Sequence, residues 1–204
     1  MSFFDFLTGK PQKMRIVFNG HPALRRKSLP VGAIDDEVKA FAERLLVSLA
    51  ESEVAGVGLA APQVGVNLRM VAIDTRPDPK SASQIQLSPG ELVLNPKMPL
   101  VLVNPEIISH SEETETCEEG CLSLPGVDGD VTRPAKVVLR TTLIDGTQLV
   151  LECANLLARC LQHEIDHLDG ILFIDHSPKW QQKEARKTML ELEHQEKLLE
   201  SKEK

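Results

Sequence analysis

LQHEIDHLDG, residues Leu161–Gly170, places two histidines four residues apart with a glutamate directly after the first. On a helix, His163 and His167 stand one turn apart on one face, so both imidazoles can reach a single metal ion. Glu164 then falls beside that ion, placed to reach a water rather than the metal. The preceding turn, with Leu156, Leu157, Cys160 and Leu161, is apolar, which predicts a buried helix. Leaving buried polar groups without partners costs on the order of 1–3 kcal/mol each, so two metal ligands are a better reading than two incidental core histidines. The helix is expected to start near Asn155 and to stop at Gly170, a natural residue for a helix end.

Outward from this helix, the chain alternates short apolar strands with punctuated turns. AKVVLRTTLI and TQLVLE flank Asp145-Gly146, a strong hairpin signal. ELVLN and LVLVN are expected as short strands, as are Met70–Ile73 and the ILFID that follows Gly170. Asp35 is a candidate N-cap for a helix to about Glu51, in which Val38, Phe41, Ala42, Leu45, Leu46 and Leu49 mark one buried face. The Pro- and Ser-rich Thr75–Gly90 stretch reads as an exposed loop or insertion. Strands grouped around one buried helix predict an α+β fold, with mixed or antiparallel sheets around the HExxH helix. A single domain over residues 1–177 would be followed by a charged C-terminal helix over 178–204.

Composition narrows the function classes. A chain of 204 residues with 42% hydrophobic content suits one globular domain. The net charge of −7 argues against a broad nucleic-acid surface. No apolar run reaches the roughly 18 residues of a membrane span, and MSFFDFLTGK has neither a basic leader nor a cleavage pattern. A cytoplasmic address is therefore expected, where Cys117, Cys121, Cys153 and Cys160 would stay reduced.

A metal site needs a third ligand. No downstream histidine or singled-out glutamate completes a known zinc-protease pattern here. Upstream, EEGCLSLPG offers Cys121 between Gly120 and Leu122, and a thiolate is an effective ligand for a divalent metal. A rival reading joins Cys117 and Cys121 to the two histidines as a closed structural zinc site. A structural site, however, has no use for Glu164. GVGLAA also matches a dinucleotide fingerprint, but a predicted helix precedes it and Pro62 follows, which excludes that reading.

Taken together, GVGLAAPQVG (Gly56–Gly65), EGCLS (Glu119–Ser123) and QHEIDH (Gln162–His167) resemble, in order, the three motifs of the peptide deformylase family. HPALRRKS near the N-terminus resembles the family's opening, and the likeness spans about Met14 to Asp175. The resemblance implies that Cys121, His163 and His167 bind one divalent metal, natively Fe²⁺, with Zn²⁺, Ni²⁺ or Co²⁺ as substitutes. It also implies that Glu164 acts as general base and then acid, while Gln63 and the Leu122 N–H hold the formyl oxygen. Val57, Gly58, Glu119, Gly120, Leu156 and Cys160 would receive the methionine end of an N-formyl-methionyl nascent chain. Docking of the C-terminal helix on the ribosome is a further implication. Asp128 and Asp130 depart from the family pattern beside the substrate path, and Asp166 is expected to support the site rather than to react.

Overall fold

The structure, a computed structural model, describes residues 11–77 and 86–202. In chain order its elements are α1 (Asp36–Ala50), β1 (Gly58–Ala60), β2 (Met70–Ile73), α2 (Pro89–Leu94) and β3 (Leu100–His110). Then come β4 (Thr114–Gly120), β5 (Asp128–Pro134), β6 (Val137–Leu143), β7 (Gln148–Cys153), α3 (Asn155–Leu168) and α4 (Lys179–Lys202). The MSFFDFLTGK opening and residues 78–85 of the expected loop lie outside the described residues.

Five strands form an antiparallel sheet in the order β1-β2-β3-β6-β7, and β4 pairs with β5 as a separate hairpin. The fold is α+β, as the grouped strands predict. Residue alternation along the central strands explains how both helices attach. Val71, Ile73, Leu100 and Leu102 pack on the side of α3 with Leu157, Leu161 and Leu168. Met70, Ala72, Val101 and Val103 point the other way, against Ala42, Leu45 and Leu49 of α1. The strands next to α3 are therefore buried on both faces, and the helix carrying HEIDH rests on a rigid floor. A third cluster ties Val131 of β5 to Phe173, Ile174 and Leu192, which fastens α4 to the hairpin.

Local signals account for most element ends. The Asp35 carboxylate accepts the Val38 N–H at 2.9 Å and starts α1. Gly146, at φ +87°, closes the turn between β6 and β7. Two expected strands are corrected. ELVLN begins inside α2, because Ser88 and Glu91 form a reciprocal capping box and Pro89 stands at the first turn. Its apolar run is only partly buried: Leu94 is enclosed, while Leu92 is 62% exposed. ILFID instead makes a 3-10 turn over Phe173–Asp175, fixed by the Asp175 carboxylate accepting the Leu172 N–H at 3.0 Å.

Candidate active site

α3 presents His163 and His167 with ring centroids 4.9 Å apart. His163 Nδ1 is engaged by Glu119 Oε2 at 2.9 Å, which leaves its Nε2 for the space between the rings. His167 is fully buried, and its Nε2 lies 3.3 Å from Cys121 Sγ. Cys121 arrives from the other wall, on the connection that follows β4. Its sulfur receives the Ser123 N–H and the Gln63 side-chain amide, each at 3.4 Å. Gln63 is itself oriented by the Ala60 N–H, which donates to its Oε1 at 2.8 Å. One ligand atom from each of Cys121, His163 and His167 falls within 4.8 Å of the others.

Behind His163 stands a buried ion network. Glu119 accepts from Arg133 Nε at 2.7 Å, from Arg133 Nη2 at 3.0 Å and from Arg159 Nη1 at 2.8 Å. Burial works against its charge, but the bonds from His163 and Arg133 outweigh that and hold the carboxyl below its ordinary range. Arg133 Nη1 also reaches Asp166 Oδ2 at 2.8 Å, and that oxygen lies 3.0 Å from His176 Nε2. Sequence reasoning missed Arg133 and Arg159. Arg133 is inward-facing on an unremarkable strand, so only its register opposite Glu115 on β4 could have suggested it.

Glu164 is treated differently. It is 4% exposed, and its Oε2 has no hydrogen-bond partner among the described residues. Burial pushes its carboxyl up to about 7. A Cβ on Gly58 would collide with Glu164 Oε1, so this glycine lets β1 pass directly over the carboxylate. Burial likewise opposes charge on His163, yet the Cys121 sulfur and the Glu119 and Glu164 carboxylates carry its pKa up to about 10. Burial and the nearby His163 and Arg133 push His167 the other way, toward the neutral ring, while the Glu119 and Glu164 carboxylates leave negative charge beside the pair. Together with the sulfur and two imidazoles, that charge fits a divalent cation.

These groups open into a cleft of about 390 Å³. Gln63, Val57, Gly58, Gly120, Cys121, Leu122, Leu156, Cys160, His163 and Glu164 line it. His167 lies behind this surface. Glu119 also borders the cleft, and its carboxylate is engaged by Arg133, Arg159 and His163. Asp128 lines the cleft, whereas Asp130 does not and is held by Gln181 at 3.0 Å. Cys117 is exposed on β4, outside both the cleft lining and the ligand group, which removes the four-ligand structural reading. Cys153 and Cys160 are buried thiols, and burial pushes Cys153 up to about 12.

A model of the polypeptide deformylase family matches residues 13–183. The chain is 43% identical over 156 residues to Peptide deformylase 2 of Gloeobacter violaceus, covering 76% of this chain and 74% of that one. It is 41% identical to a peptide deformylase of Endomicrobium trichonymphae, covering 86% and 92% of the two chains. Among solved structures, it is similar to a peptide deformylase from Synechococcus elongatus in complex with actinonin. That likeness has a TM-score of 0.70, 36% identity and 87% coverage of each chain. A Plasmodium falciparum peptide deformylase superposes with a TM-score of 0.75 at 30% identity, covering 90% of this chain and 98% of that one.

Proposed function

The chain belongs to the polypeptide deformylase family and removes the formyl group from the N-terminal formyl-methionine of polypeptides, releasing formate, and we propose the following roles for its residues. Cys121, His163 and His167 hold one divalent metal. Fe²⁺ is the native ion in this reading, and Zn²⁺, Ni²⁺ or Co²⁺ can replace it. When bound, such an ion acidifies a water and polarises a carbonyl.

Glu164 takes the proton from the attacking water and returns it to the departing amine nitrogen. The water oxygen bonds to the formyl carbon, the carbon–nitrogen bond breaks, and formate and a free amino terminus result. The Gln63 amide and the Leu122 N–H donate to the formyl oxygen as negative charge gathers on it. Among the described residues β1 pairs with β2 alone, so its other edge can take up the substrate backbone as an added strand. Leu156 and Cys160 wall the pocket for the methionine side chain, to which soft apolar surfaces are suited.

One observation carries this reading: a buried, unpartnered carboxylate oxygen on Glu164 beside three converging ligands. The test is formate release from N-formyl-Met-Ala-Ser by iron-loaded protein, with Glu164→Ala alongside. Loss of about 10²–10⁴ in turnover with metal retained supports the assigned role. A metal-loaded variant that keeps wild-type turnover overturns it.

No helix among the described residues is long and apolar enough to cross a membrane. We place the enzyme in the cytoplasm, where nascent formylated chains emerge and the Cys121 thiol stays reduced. Ribosome docking through α4 is supported by the exposed Lys179, Lys183, Arg186 and Lys187 at its start.

A further inference from the structure

α3 begins without a cap of its own. Ala154 at the N-cap position makes no side-chain capping bond. Asn155, the first helical residue, has φ +54°, a left-handed conformation that asparagine tolerates better than most residues. Support for this start comes from a distant part of the chain. Ser88 Oγ accepts the Ala154 N–H at 3.2 Å. Asn155 Nδ2 donates to Glu91 Oε2 at 2.9 Å and to the Gln86 carbonyl at 3.1 Å.

Glu91 is only 5% exposed. Its Oε2 also accepts the Ser88 N–H at 2.7 Å and the Ser88 hydroxyl at 2.8 Å, so a single oxygen gathers three donors. The docking is close. A Cβ on Gly90 would stand 2.9 Å from the Glu152 carbonyl oxygen and would press into the Cys153 sulfur. Residues 86–94 therefore clamp the end of β7 to the start of α3.

The next residue after Asn155 is Leu156, which lines the cleft and is 47% exposed. Leu157 and Ala158 beside it are buried in the core. With half its surface open, Leu156 takes its position from the first helical turn rather than from packing around its own side chain. We propose that Glu91 is a positioning residue for the substrate's first side chain: through Asn155 it fixes Leu156, so that residues 86–94 set how closely the cleft holds methionine. This rests on the reading that Leu156 and Cys160 wall the methionine pocket.

The test compares N-formyl-Met-Ala-Ser with N-formyl-Ala-Ala-Ser for the wild type and five variants, recording KM, kcat, metal content and Tm. Asn155→Gly keeps the left-handed start but removes the amide, and Glu91→Ala removes the acceptor. Each raises KM for the formyl-Met peptide about tenfold, the scale on which pocket fit of a methylene group operates. In both, kcat stays within about twofold, metal is retained and the preference for methionine narrows. Combining them adds little, because they break the same bond. Glu91→Gln retains an oxygen for all three donors and behaves as wild type. Leu156→Ala checks the pocket itself. If Leu156→Ala changes the preference while Glu91→Ala and Asn155→Gly only lower Tm, the clamp is structural and the proposal is overturned. If Leu156→Ala leaves the preference unchanged, the pocket reading fails and takes the proposal with it.

Discussion

Two places among the described residues bring metal-ligating side chains within 4.8 Å of one another: Cys121 with His163 and His167, and His21 with Glu196 and Glu200. Residue type and distance do not separate them, but hydrogen bonding does. In the second group His21 Nδ1 accepts the Ala23 N–H at 3.2 Å, so the neutral ring carries its proton on Nε2, facing Glu200 Oε1 at 3.6 Å. Both Glu196 oxygens are taken by Arg15 at 2.9 Å, and one of them also accepts the Phe18 N–H at 2.9 Å. A cation there would have to displace Arg15 and reverse the His21 tautomer. At the cleft, by contrast, Glu164 Oε2 and His167 Nδ1 are buried without a hydrogen-bond partner among the described residues. An unspent valence marks the reactive site, and a closed network marks an anchor.

The most damaging test of this contrast is metal content. The wild type should bind one divalent ion per chain, and His167→Ala should weaken it more than the roughly 10–100-fold expected from losing an outer partner. His21→Ala should hold its metal unchanged. A second equivalent of metal, lost in His21→Ala, would erase the distinction.

The same contrast recurs within the cleft wall. Glu119 and Glu164 are both buried, but Glu119 is surrounded by Arg133, Arg159 and His163, whereas burial alone dominates Glu164. Removing the partner of a buried ion strands the remaining charge. Arg133→Ala should therefore cost about 3–5 kcal/mol in denaturant unfolding. It should also weaken metal binding, since Glu119 orients His163. A loss below about 1 kcal/mol would place this pair among weak surface contacts instead.

The parts of this molecule that were legible in the sequence are those fixed by local spacing. HEIDH, the Asp35 cap and the Asp145-Gly146 turn each carry their signal within a few residues. Cys121 and Gln63 are remote from α3 in sequence: thiolate chemistry made Cys121 a candidate third ligand, and only a resemblance of whole motifs joined Gln63 to the site. Arg133 could not be found this way, because its partners Glu119 and Asp166 meet it through β4–β5 pairing and helix packing. α2 was misread for a different reason. Its apolar run suggested a strand, and the Ser88–Glu91 capping box outweighed that tendency. The tie from Glu91 to Asn155 spans 64 positions and leaves no local trace.

The smallest expected effect lies at the closed cluster, and it tests whether that cluster acts only as an anchor. Burial works against charge on Glu196, but Arg15 and the Phe18 N–H outweigh it and hold the carboxyl below its ordinary range. A carboxyl lowered in the folded state contributes stability above its unfolded value of about 4.3, and that contribution is lost as pH falls through the folded value. At neutral pH, Glu196→Gln should cost about 1–2 kcal/mol, a hydrogen-bonded ion pair discounted for solvent screening at the partly exposed Arg15. The difference from wild type should shrink as pH drops below about 4, because protonation then removes the same charge from the native protein. Formate release per folded molecule should not change, since nothing in this cluster borders the cleft. A stability gap that persisted undiminished at acid pH would assign the effect to packing of α4 around Leu192, and a fall in turnover would show that the two clusters are coupled through the body of the protein.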